Sequence, residues 1–173
     1  MEVFEQVVQT LLEPGEISQD VMGNTLHHIM ERGMDFADLY FQQSHHEFWS
    51  LEDGVVRDAS YDIDTGVGVR AIQGEKTGFA YSDEISASAL MQAADSARII
   101  SRGGKSGKIK VPVRTPIPHE LYASANPLAS INAEEKVALL QQLDQWARAA
   151  DPRVVQVMAS LSAAYDLVLV AAS

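Results

Sequence analysis

The sequence contains no cysteine. Disulfide bonds, thiolate metal sites and a catalytic cysteine are therefore excluded, and a reducing cytoplasm fits this composition. No run approaches the roughly 20 apolar residues that a membrane-spanning helix needs, and Glu2 and Glu5 stand where a signal peptide would carry basic residues. We therefore expect a cytoplasmic protein without a membrane segment or a signal peptide.

Basic residues are scarce, above all in the first third of the chain. Residues 1–64 contain fourteen Asp and Glu but only Arg32 and Arg57, and the whole 173-residue chain has 13 basic against 24 acidic residues, a net charge of -11. Such a surface repels phosphates, so we expect no nucleic-acid binding. The 46% hydrophobic content is typical of a folded globular protein, and the length allows one ordinary domain or two small ones.

Hydrophobic periodicity predicts a single α+β domain, with helices packed on one face of an antiparallel meander sheet. The predicted elements are helices at residues 2–12, 18–32, 84–102 and 133–150, a four-stranded meander at 37–81 and a hairpin at 153–172. Asp53-Gly54 predicts a tight turn within the meander. Gly66 and Gly68 alternate on its third strand, and we attribute them to close packing of the alanine-rich helix at residues 84–102.

A loop rich in Gly and Pro is predicted at residues 103–130, and loops of this length are usually functional. Near its start lies a basic cluster that would contact an acidic peptide or a partner, with a solvated linker as the alternative. The cluster consists of Arg102, Lys105, Lys108 and Lys110. Gly103-Gly104-Lys105-Ser106 fails as a phosphate-binding loop, because Ile99 replaces its first glycine and a predicted helix precedes it.

His45-His46-Glu47 is the first place to look for a metal site. On a strand, His45 and Glu47 point to one face and His46 to the other, which leaves at most two ligands on either side. A zinc-peptidase helix needs a second histidine one turn later, where this sequence has Ser50 and Leu51. We therefore predict neither a catalytic residue nor a metal ligand in this chain.

The sequence ends in the apolar run Leu167-Val168-Leu169-Val170, which is typical of a central strand. A central strand needs partners on both sides, so we expect that the reading frame is truncated here. The same strand would then present Tyr165, Leu167 and Leu169 as contacts for a peptide or a partner.

Several segments resemble the N-terminal part of the TldD/PmbA metallopeptidase family. They are Asp38–Phe41, Leu51–Gly54, Gly66–Ile72 and Gly74–Tyr81, followed by the helix after Tyr81, Leu121–Leu128, the Glu134-Glu135-Lys136 helix and Leu161–Ala172. The resemblance covers nearly the whole chain.

The resemblance implies a parent protein that is a cytoplasmic zinc metallopeptidase, working with a PmbA (TldE)-like subunit on unfolded peptides such as bacteriocin precursors and antitoxins. The family's metal motif, His-Glu followed three residues later by His, belongs to its C-terminal domain and is absent from this sequence. We therefore expect a structural and substrate-channelling domain that is inactive alone. The family's older label, modulator of DNA gyrase, suggests DNA, but the charge argument gives direct binding no support.

Two other hypotheses remain open. In the second hypothesis, the chain is a binding module, and an extended peptide adds to it as a further strand at an exposed sheet edge. In the third, the same edge leads the fragment to self-associate.

Overall fold

A computed structural model describes residues 3–31, 33–101 and 125–173. Within these ranges the helices are α1 (Val3–Val7), α2 (Gln19–Met30), α3 (Ala87–Ser101) and α4 (Ala133–Ala150). The strands are β1 (Phe36–Glu52), β2 (Val55–Gln73), β3 (Lys76–Ser82) and β4 (Met158–Ala172). A π-helical turn at Val8–Leu12 and a 3-10 turn at Glu13–Gly15 continue α1, and a second 3-10 turn, Pro127–Ala129, precedes α4.

The four strands form one sheet in the order β3-β2-β1-β4. β2 and β3 are antiparallel, with Gly68 opposite Tyr81. β4 runs antiparallel to β1, because the Ser173 N–H donates to the Ala37 carbonyl at 3.0 Å near the end of β4 and the start of β1. The predicted α+β class with an antiparallel sheet is confirmed.

Two predicted strand boundaries are wrong. Residues 55–73 form one strand, so residues 37–81 contain three strands where four were expected, and the expected hairpin at residues 153–172 is the single strand β4. In both places the chain lacks a turn: Gly66 keeps a negative φ, and Ser162-Ala163-Ala164 contains neither Gly nor Pro. β4 lies at the edge of the described sheet with β1 on one side, so the prediction of a central strand in a longer chain stays a prediction.

The structure divides into two compact units. Unit 1 comprises Met1–Gln43, Asp64–Ala123 and Leu167–Ser173, and unit 2 comprises Ser44–Ile63 and Ser124–Asp166. The prediction of one domain stays a prediction. The predicted loop at residues 103–130 lies outside the described residues as far as residue 124.

In unit 1, α3 packs on one face of the sheet. The buried side chains on this face are Ala37, Leu39 and Phe41 of β1, Val67, Val69 and Ala71 of β2, and Leu90, Ala93, Ala94 and Ala97 of α3. The small alanines allow the helix to approach the sheet closely. His28 of α2 lies 2.9 Å from the Asp95 carboxylate of α3, and Arg98 donates to the His28 carbonyl at 3.0 Å, so polar contacts join the two helices.

In unit 2, α4 begins at the capping box that Asn132 and Glu135 form, with both bonds present at 2.9 and 2.8 Å. The most buried positions of α4 are Lys136, Leu140 and Asp144, one helical turn apart. Two of these three residues are charged, and both form salt bridges, Lys136 with Glu47 and Asp144 with Arg148. Trp146, by contrast, is 56% exposed.

Candidate functional site

Unit 1 leaves the other face of its sheet without a helix in the part of the chain that the structure describes. We call this surface the open face; its residues are Tyr40, Arg70, Phe79, Tyr81, Val168 and Val170. Phe79 and Tyr81 are 55% and 79% exposed, and their rings stack with centroids 6.5 Å apart. Exposed aromatic side chains grouped in this way are typical of a surface that contacts another protein.

Gly68 helps to form the open face. A Cβ atom there would lie 3.0 Å from the Phe79 ring and 4.0 Å from Cβ of Tyr40, so the ring occupies the space that a side chain would fill. Our attribution of Gly68 to packing of the alanine-rich helix is therefore wrong, because the aromatic ring lies on the opposite face. At Gly66 the neighbour is the Ser82 carbonyl oxygen, 2.7 Å from a Cβ atom.

A charged pair interrupts the aromatic character of the open face. Arg70 forms a salt bridge with Asp38, and its Nε atom donates to Asp38 Oδ2 at 3.0 Å. The Arg70 guanidinium also lies 5.8 Å from the centroid of the Phe36 ring, within reach of a cation–π contact. Asp38 is buried, so the arginine neutralises a carboxylate that would otherwise be costly at that position.

The peptide-contact residues that the sequence analysis selected fall into two groups. Arg102, Lys105, Lys108 and Lys110 lie outside the described residues. Tyr165, Leu167 and Leu169 belong to β4, where Leu167 is buried and the other two are half-buried, whereas Val168 and Val170 are exposed on the open face. Contact of these three residues with a peptide stays a prediction.

A buried ion pair, which sequence reasoning missed, joins α4 to β1 in unit 2. Lys136 Nζ lies 2.6 and 2.8 Å from the two carboxylate oxygens of Glu47 and 3.1 Å from the Leu128 carbonyl oxygen. The Trp49 indole also donates to Glu47 at 2.5 Å. The sequence signal for this pair was Lys136 itself, which lies one turn before Leu140 on the buried side of the helix. Helical spacing does not identify the residue on the sheet that pairs with it.

The environment of Glu47 lowers its pKa. Burial by itself raises the pKa of this carboxyl, but the hydrogen bonds from Lys136 and Trp49 and the positive charge of Lys136 together outweigh it. Glu47 is therefore an ionised carboxylate whose oxygens already have donors.

The side chains of His45-His46-Glu47 alternate between the two faces of β1, as in a regular strand. His45 Nδ1 lies 2.7 Å from the Tyr61 hydroxyl and its ring stands 6.3 Å from the Tyr165 ring, whereas His46 is exposed. No group of three potential ligands in the described ranges could hold a metal ion. A catalytic zinc needs about three protein ligands and an open position, so the described residues do not fit such a centre.

The predicted tight turn between β1 and β2 is confirmed. Asp53 and Gly54 both have positive φ, 49° and 76°, as a two-residue hairpin turn of this kind requires. Asp53 accepts a hydrogen bond from the Val157 N–H at 3.0 Å and pairs with Arg148, which also bonds Asp144 at 3.2 Å. The Val157 N–H and the Arg148 guanidinium together lower the pKa of Asp53.

Two family models match this chain. The first, described as PmbA/TldA metallopeptidase domain 1, matches residues 37–101, and the second, described as the central domain of the same metallopeptidases, matches residues 126–173. Together they cover most of the described sheet and helices. The chain belongs to the PmbA/TldD metallopeptidase family, which confirms the resemblance stated above.

Curated relatives match over nearly the whole chain. A protein named metalloprotease TldD homolog from Haemophilus influenzae is 44% identical over 173 residues, covering 99% of this chain and 36% of its own length. The protein of the same name from Buchnera aphidicola of Acyrthosiphon pisum is 39% identical over 170 residues, covering 98% of this chain and 35% of its own. The chain thus spans about a third of the length of these relatives.

Solved structures share the fold at low sequence identity. A Bacteroides thetaiotaomicron protein described as a modulator of DNA gyrase superposes with a TM-score of 0.69 at 15% identity, over 91% of this chain and 36% of that one. TldE from Thermococcus kodakarensis gives 0.60 at 18% identity, over 87% and 34%. No helix in the described part of this chain is both long and apolar enough to cross a membrane.

Proposed function

We propose that this chain is the N-terminal part of a TldD-type zinc metallopeptidase, that it supports and channels unfolded peptides, and that it is inactive alone. The observation that carries the proposal is the extent of the match: the Haemophilus influenzae relative aligns with 99% of this chain but only 36% of its own length. The matched regions are the first and central domains of the family. The metal motif that the resemblance implies is absent from the sequence.

The chemistry of the described residues supports an architectural role. Glu47, the carboxylate nearest to the two adjacent histidines in sequence, receives hydrogen bonds from Lys136 and Trp49. A general base for hydrolysis needs a carboxylate that can take a proton from water, and Glu47 is ionised but occupied. Its contacts serve to hold α4 on the sheet.

The open face supports contact with the remaining two-thirds of a TldD-length protein or with a PmbA (TldE)-like subunit. Its exposed aromatic and aliphatic side chains offer apolar area that a covering surface would remove from water, at about 25 cal/mol per Å². The exposed Trp146 and half-exposed neighbouring leucines of α4 offer a second apolar surface within unit 2.

A peptidase assay on two lengths of the protein tests the proposal. The 173-residue chain and a chain extended to the length of the relatives are incubated with an unfolded peptide, with and without a zinc chelator. We expect cleavage only by the longer protein, in the presence of its partner subunit, and loss of that cleavage with chelator. Chelator-sensitive cleavage by the 173-residue chain alone would refute inactivity of this part.

Strand addition at β4 is a second candidate function, because β4 lies at the edge of the described sheet. The Ser173 N–H points to β1, so in a regular antiparallel strand the N–H groups of Val168 and Val170 point outward. Val168→Pro removes an outward donor and should weaken binding of an extended peptide, whereas Val168→Thr should not. Equal affinity of both variants, with circular dichroism confirming folded protein, would exclude this edge.

A further inference from the structure

We draw no further inference here: the strongest candidate, the outward apolar stripe that Leu139, Leu143 and Trp146 form on α4 of unit 2, is a helix face without a covering element in the described ranges, and nothing in those ranges shows what would cover it.

Discussion

Lys136 is a buried cation whose hydrogen-bonding capacity is fully used. Its ammonium group has three donors, and three oxygen atoms lie within 3.1 Å of it, two of Glu47 and one of Leu128. Desolvating the two charges is expensive, and their attraction offsets this cost only while both partners remain. The pair therefore makes the position intolerant of single changes.

Lys136→Met should destabilise the chain by about 3–5 kcal/mol, because it leaves the Glu47 carboxylate buried without its counter-ion. Urea unfolding monitored by circular dichroism measures the loss. The double variant Lys136→Met with Glu47→Leu serves as the control, and it should recover most of the stability. If the free energy of unfolding of Lys136→Met lies within about 1 kcal/mol of the parent value, water must reach Glu47.

Glu47 also predicts how stability depends on pH. Its folded pKa lies below the ordinary value of about 4.3, so its ionised form stabilises the fold above that pH. This contribution should be lost as pH falls from about 4.3 through the lower folded pKa. Comparing urea midpoints between pH 7 and pH 3, we expect a smaller decrease for Glu47→Gln than for the parent chain. Equal decreases of the urea midpoint in the two proteins would contradict the assignment of this pH dependence to Glu47.

At the scale of elements, the β2–β3 pair depends on a ring packed over a glycine. The Phe79 ring lies 3.0 Å from where a Cβ atom of Gly68 would be, and this contact holds the ring next to Tyr81. Rings that cover a strand glycine in this way recover some of the contact area that the glycine lacks. The open face therefore depends on Gly68 for its shape.

Gly68→Ala should stabilise the chain less than the same change at Gly23, because the Phe79 ring, which is 55% exposed, must shift by a few tenths of an ångström to admit the methyl group. The matched control is Gly23→Ala on α2, where a Cβ atom meets nothing within 4 Å, and it should stabilise the chain by about 0.5–1 kcal/mol. Thermal unfolding measures both. Phe79→Ala should lower the free energy of unfolding less in the Gly68→Ala variant than in the parent chain.

At the scale of the whole molecule, the open face should matter only when it is covered. Tyr81 is 79% exposed in this chain, so Tyr81→Ser should alter its stability by no more than about 0.5 kcal/mol. In a chain of the relatives' length, or in complex with a partner subunit, the same change should lower the melting temperature. Calorimetry on both lengths makes the comparison, and Ser88→Ala, an exposed change on α3, is the control. Equal changes in melting temperature at both chain lengths would mean that the open face is not covered in the longer protein.

Much of the fold was predictable from local chemistry. The period of α4, its capping box at Asn132 and the turn at Asp53-Gly54 all follow from interactions between residues close in sequence. The strand alternation correctly separated His45 and Glu47 from His46. The family resemblance, drawn from the segments between Asp38 and Tyr81, agreed with the matched family domains.

What failed depended on neighbours distant in sequence. Gly66 interrupts the hydrophobic pattern of β2, but β1 lies beside β2 and the strand continues through residue 66. The apolar run of β4 is typical of a strand buried on both faces, yet alternate residues are exposed because successive side chains point to opposite faces and the described elements cover only one of them. Hydrophobic periodicity shows which positions of a segment are apolar, but it does not show which strands or helices pack beside that segment.

The sequence by itself determined where the helices lie, the tight turn, the acidic character of the first 64 residues and the family. The tertiary structure decided that Lys136 meets Glu47, that Phe79 covers Gly68 and that β2 extends past β3. The physical reason is range: helix caps and turns involve residues a few positions apart, whereas Lys136 and Glu47 are separated by 89 positions. Contacts at that separation are set by packing of the sheet and helices.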